Sequence, residues 1–261
     1  MSCSENSENS TRADRVALQP APTLSDEGRL RAGSPRSASP RHRVTASLLL
    51  LGAALGLMGA VAPWIPHRAA GLNISAFDLF EVSKFLPEIR SGAVPLFREA
   101  LLFPLQASAL LLALAPVCAG RVPRALRWLC PATAALIALA AIPPYPAILT
   151  AYRDPEYRGQ LLLAAATFLL VLFSPLARRL GRFVPCALVA GLALTGPIAG
   201  LAALARVRPL FVQLYHAPIG VGWGVVVYLL GCAVALVAAV FQTRSSRNVL
   251  TSGIASSFSR K

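Results

Sequence analysis

The chain has 261 residues, of which 56% are hydrophobic and 14% charged, with a mean hydropathy of +0.61 and a formal net charge of +14. A soluble domain carries nearer a quarter charged residues, so the composition excludes an ordinary water-soluble fold. The positive charge would suggest nucleic acid in a soluble protein, but it flanks apolar runs, which assigns it to membrane orientation and to no specific nucleic-acid partner.

Residues 1–43 are rich in Ser, Arg and Pro and close on SPRSASPRHR. So little apolar surface cannot offset the entropy of ordering, and a disordered basic cytoplasmic tail is predicted. Ser34 and Ser39 each precede proline; a solvated basic anchor is preferred there over a kinase-readable segment.

Six apolar runs follow, at about 44–65, 96–119, 126–144, 159–177, 183–205 and 219–241. A hydrocarbon core about 30 Å thick needs about 20 apolar residues per helix, so each run is predicted to span. The expected fold is all-α: a polytopic transmembrane helix bundle filling 44–243, with a cytoplasmic tail at 244–261. The first run ends in an A-x-A site at Ala60–Ala62, as a signal peptide would. The long preceding tail and Pro63 at the first position after a cut favour an uncleaved helix.

Between runs 1 and 2 lies the longest outer connection. Trp64 at its start is read as an interfacial anchor. Asn73–Ile74–Ser75 matches a glycosylation acceptor, but Ser75 and Asp78 already make the S-x-x-D pattern of a helix N-cap. Leu79, Val82, Leu86 and Ile89 then recur at helical spacing with Phe85 beside them. They predict an amphipathic outer helix at about 76–89, bent or ended by Pro87. Ser75, Asp78, Leu79, Val82, Phe85, Leu86 and Ile89 are the candidate contact set for a partner; packing over the bundle is the plainer reading.

Pro63–Trp64 followed by Ser75, Phe77, Asp78 and Leu79 resembles small bacterial polytopic membrane proteins of uncharacterised function. In those a Pro-Trp end precedes a Ser/Gly–aromatic–Asp–Leu element; this chain has Ala76 where glycine is more usual. The resemblance implies a multi-pass bacterial inner-membrane protein and carries over no functional residue. Only Lys84 and Lys261 are lysines, a bias that also fits a GC-rich bacterial coding sequence.

Orientation follows from arginine. Taken along the chain, Lys and Arg fall as seven in the first tail, then four, three, two, three, two and four, so alternate sides carry 17 and 8. Asp78, Glu81, Glu88, Glu99, Asp154 and Glu156 lie on the poorer side. The positive-inside rule then places both termini in the cytoplasm. Tyr145, Tyr152, Tyr157, Tyr215 and Trp223 fall at outer belt positions and Trp128 at an inner one.

Small residues at helix-contact spacing mark packing faces: Gly52 and Gly56, Gly196 and Gly200, Gly220 and Gly224. They favour a compact bundle with helices 1, 5 and 6 together, and leave open whether the faces meet within one chain or in a homo-oligomer. Pro104 and Pro197 are expected to kink their helices.

No catalytic, metal or cofactor motif is found. No Asp, Glu, Lys or His lies at bilayer depth, where ionisable groups usually mark ion paths or proton relays. Cys3, Cys118, Cys130, Cys186 and Cys232 have no CxxC spacing, and none falls in an outer connection. His67 and His216 with Asp78 or Glu81 offer metal-ligating side chains outside the spans, but nothing in the sequence fixes their spacing. The expected function is therefore non-enzymatic: an accessory or partner-binding membrane subunit, with the bilayer and another membrane protein as partners. The alternative is a transporter or permease component for a neutral or apolar solute, lined by Gln106, Ser108, Thr133, Thr167 and Thr195.

Overall fold

Helix α1, Pro40–Val61, ends where Pro63 removes a backbone donor. The computed structural model describes residues 40–66, 73–119, 122–181 and 183–258, with side chains from 44 to 244. The chain divides into two units, 1–37 and 38–261. The first lies outside the described residues, and so does most of the tail expected at 1–43. Beyond α1, Ile65 and Ile74 form an isolated antiparallel bridge that returns the chain toward the bundle.

The outer connection then forms two short helices in place of one, α2 at Ala76–Ser83 and α3 at Pro87–Arg90. Pro87 opens α3, where its missing N–H is harmless. The run at 96–119 is also divided. A 3-10 turn at Arg98–Leu101 precedes helix α4, Phe103–Ala119. Pro104 therefore sits in the first turn of α4 and does not interrupt a helix, since the first four N–H groups have no partner within the helix anyway. Pro116, Pro131, Pro197 and Pro209 are the prolines inside helices.

Helix α5 spans Arg124–Ala140, and helix α6 spans Pro155–Phe173, capped by the Asp154 side chain and continued by a 3-10 segment at Ser174–Leu180. Helix α7 runs Phe183–Tyr215 and helix α8 Trp223–Phe258, both well past the expected ends at 205 and 241. The 33 residues of α7 make about 50 Å of helix, so one end of it projects beyond a 30 Å hydrocarbon core. Arg206 and Arg208 occupy that projection and donate to the carbonyls of Pro95 and Ile219, both at 2.8 Å.

The regular secondary structure of the described residues is all helical apart from the single bridge. Four stretches are long and apolar enough to cross a membrane: Val44–Val61, Pro155–Leu180, Phe183–Tyr215 and Trp223–Arg244, with mean hydropathies of 2.1, 2.1, 1.9 and 2.6. This is the make-up of a multi-pass membrane protein. Helix α4 is apolar but shorter, and nearly every residue in it is buried. It is the central helix, touching α1, α5, α6, α7 and α8; α1 packs most closely on α8, α7 on α8 and α4, and α5 on α4 and then α6. The outer faces of α5, α6 and α7 expose Leu136, Leu162, Leu169, Leu170, Leu188 and Ile198. Exposure of each to water would forfeit about 1.5–3 kcal/mol, and lipid removes that cost.

Candidate functional site

Close helix contact is built on glycine. A Cβ on Gly52 would stand 2.9 Å from Ala235 N and Gly231 O of α8. A Cβ on Gly56 would meet a different neighbour, Ser108 Oγ of α4, at 2.7 Å. One on Gly196 would meet the Tyr228 hydroxyl and the Ala107 methyl, and one on Gly200 would stand 2.8 and 3.0 Å from Pro104 Cγ and Trp64 Cη2. One on Gly224 would stand 2.7 Å from Ala62 O. Gly220 falls in the loop before α8 with nothing within 4 Å of a Cβ, so it makes no helix contact. Two further contacts escaped the motif. A Cβ on Gly59 would meet the Tyr228 backbone, and one on Gly231 would stand 2.8 Å from Gly52 O and closer still to Gly56 N. Gly52 and Gly59 are seven apart and share a face, and that spacing would have found them.

At one end of the bundle three connections meet. The Ser75 N-cap is formed in both directions: Asp78 N donates to Ser75 Oγ at 3.2 Å, and Ser75 N donates to Asp78 Oδ2 at 2.9 Å. Of the candidate contact set, Leu79 and Leu86 are buried with Phe80 in the main core, Val82 and Ile89 are half-buried, and Phe85 is 70% exposed. The amphipathic face therefore packs on the bundle. Trp64, expected in the headgroup region, is fully buried; its indole N–H donates to Gly59 O at 2.9 Å.

Charge binds the same end together. Lys84 pairs with Glu81 and lies 5.1 Å from the Tyr157 ring centre. Arg98 lies 5.2 Å from the ring centre of Phe80 and 4.0 Å from Glu156, while the Glu99 carboxylate covers Gly159.

Beneath that end runs a buried polar stripe. Gln160, Ala164, Thr167 and Val171 form the inward face of α6, extended by Ser174. Val171 packs with Ala109, Leu110 and Ala113 of α4, the stripe that begins at Gln106, and with Ala134 of α5. Gln160 Nε2 donates to Ala141 O at 2.9 Å. Gln160 Oε1, both amide atoms of Gln106 and Ser174 Oγ have no hydrogen-bond partner among the described residues. Of the expected lining, Ser108 bonds back to Pro104 O at 2.7 Å, and Thr133 and Thr195 face outward. Thus Gln106 and Thr167 share a buried seam, Ser108 faces α1, and the other two leave the interior.

Two apolar surface clefts lie elsewhere. One is lined by Ala46, Leu50, Ala115, Pro116, Val122 and Leu126; the other, of about 360 Å³, by Leu236, Val237, Val240, Phe241 and Arg244. Neither includes a residue of the polar seam. Among the described residues no three metal-ligating side chains come together. His67 falls outside them, so its pairing with His216 is not described. Cys118, Cys130, Cys186 and Cys232 are buried free thiols.

Comparison with protein-family models, with curated proteins and with solved structures finds no match to this chain.

Proposed function

We propose that the chain is a six-segment protein of a bacterial inner membrane, with both termini on the cytoplasmic face, serving as a non-enzymatic accessory or partner-binding subunit. The arginine distribution and the alternation of connections support the orientation. In this reading α4 and α5 are the two shorter segments, α4 surrounded by the other long helices and α5 packed on α4 and α6.

One observation carries the functional part. Phe85 is 70% exposed on a connection whose Leu79, Phe80 and Leu86 are buried in the core, and Phe97 beside the following 3-10 turn is 62% exposed. Aromatic side chains on a rigid platform are what a binding surface requires, because little ordering entropy remains to be lost. Removal of residues 75–89 would strip Leu79 and Phe80 from the core, so a point change is the cleaner test. Phe85→Cys should react with a membrane-impermeant maleimide in intact spheroplasts, and Phe85→Arg should lose a co-purifying membrane protein at unchanged expression. An identical set of co-purifying proteins from wild type and Phe85→Arg would reject the reading.

The unpartnered amide of Gln106 supports a second reading, passage of a neutral polar solute along the α4–α6 seam. A purely structural Gln106 without partners costs stability, so Gln106→Leu should then be neutral or stabilising with growth unaffected. Loss of function with folding intact, followed by thermal unfolding in detergent, would favour transport.

A further inference from the structure

Contacts at two levels show that α4 and α6 run side by side in parallel. At the outer end a Cβ on Gly159 would fall on the Glu99 carboxylate, and Arg98 stands 4.0 Å from Glu156. Farther in, Val171 packs in one cluster with Ala109, Leu110 and Ala113. The rise from 99 to 110 is nearly the same as that from 159 to 171. Gln106 and Thr167 each lie one turn outward of the cluster, on the cluster's face of their helix, and so share a level. Both are 2% exposed. Helix α5 bounds the same layer. Its Ala134 belongs to the Val171 cluster and its Ala141 carbonyl accepts from Gln160, so the buried Ala138 between them falls at this level, with Ala164 of α6.

This layer presents an amide that the chain leaves unanswered. Neither Nε2 nor Oε1 of Gln106 has a hydrogen-bond partner among the described residues, and the methyl groups of Ala138 and Ala164 supply none. Gln160 Oε1, two turns farther out than Thr167 on α6, is unpartnered as well. Buried amides are normally bonded at both atoms. Gln106 offers a donor and an acceptor side by side on one edge, and a primary carboxamide or a urea carries the complementary edge. The two groups close a pair of parallel hydrogen bonds. A lone hydroxyl reaches both atoms only at bent angles, which weakens each bond. No Asp, Glu, Lys or His lies at this depth to neutralise a charged solute.

We infer that Gln106 and Thr167 form a binding site for a small uncharged carboxamide or urea-type solute. The Gln106 amide holds its amide edge, the Thr167 hydroxyl adds a third hydrogen bond, and the alanines at 138 and 164 limit its size. The inference rests on the second reading above, in which the α4–α6 seam takes a neutral polar solute, and names the class of that solute. Gln160 Oε1 supplies an acceptor nearer the outer end. The outer stop of the seam at Gly159 is the Glu99 side chain, which can rotate aside where backbone could not.

Saturation-transfer NMR of the full-length protein in detergent tests it, with acetamide as the probe and empty micelles as the baseline. Wild type should transfer saturation to the acetamide methyl group. N,N-dimethylacetamide has no N–H to give Gln106 Oε1 and should bind about tenfold more weakly. Gln106→Leu should abolish acetamide binding and Thr167→Val should weaken it about fivefold, whereas Thr195→Val on the outward side of α7 should leave it unchanged. If Gln106→Leu does not fold, the two amides on wild type and the Thr167→Val protein decide. Equal binding of the two amides, binding that survives Gln106→Leu, or no transfer in wild type would overturn the inference; the last outcome would leave the seam to water. Acetamide that binds but does not enter proteoliposomes would uphold the site and remove the passage reading.

Discussion

Gly231→Leu is expected to separate α1 from α8, with a loss of about 3 kcal/mol or more. The position is closed on every side by backbone: a Cβ there would stand 2.8 Å from Gly52 O and 2.9 Å from Leu55 C, and closer still to Gly56 N. A side-chain neighbour can rotate away, whereas two helix backbones can only move apart. Lipid gives no hydrophobic drive for re-association, so the van der Waals contact that holds α1 on α8 has no replacement. Titration of the detergent-solubilised protein with a denaturing detergent, followed by circular dichroism, measures the effect. Gly220→Ala and Gly191→Ala are the matched controls, since nothing lies within 4 Å of a Cβ at either site. Both should stay within about 0.5 kcal/mol of wild type. A Gly231→Leu protein that unfolds with the controls would mean that α1 and α8 are not in contact.

That contact shows how far the sequence could be read. Helices, apolar runs and the Ser75–Asp78 cap are local, and local pattern finds them, because backbone hydrogen bonding and capping involve residues a few positions apart. Which face of a helix meets which partner is a long-range property. Gly52 and Gly56 form one motif by spacing and both lie along α8, yet a Cβ on Gly52 would meet α8 and a Cβ on Gly56 would meet Ser108 of α4. Gly231 has no glycine four residues away, and its significance comes from Gly52 and Gly56 across the interface. Helix ends depart from the ends of the apolar runs where apolarity and helicity diverge. The apolar run of α7 stops at Arg206, but the helix continues to Tyr215 because the two arginines find carbonyl acceptors. The run at 96–119 is apolar throughout its later part, yet its first turn is 3-10. The polar seam was half-legible: Gln106 and Thr167 stood out as uncharged polar residues in apolar runs. Gln160 did not, because it lies at the edge of its run, and only the fold shows it bonded to Ala141.

Trp64→Ala is the second large expected effect, and it separates two roles for one residue. A tryptophan next to Pro63 at a helix end has the appearance of a headgroup anchor, and an anchor truncated in detergent would leave global unfolding little changed. The fold gives it another environment. Its indole is fully buried, 5.9 Å from the Tyr228 ring centre and directly over Gly200. The backbone around it is clamped as well: Trp64 N donates to Ile74 O at 2.8 Å, and Gly222 N donates to Trp64 O at 2.7 Å. The ring therefore fills the junction of α1, α7, α8 and the outer connection. Truncation leaves a cavity that glycine-lined backbones cannot close, and it orphans the Gly59 carbonyl that the indole N–H satisfies. A loss of about 3–5 kcal/mol follows, read by the same denaturation. Trp64→Phe keeps part of the ring and should lose less. A Trp64→Ala protein as stable as wild type would return the residue to the membrane interface and remove the lock between the outer connection and the helices. The Phe85 platform depends on that lock for its rigidity.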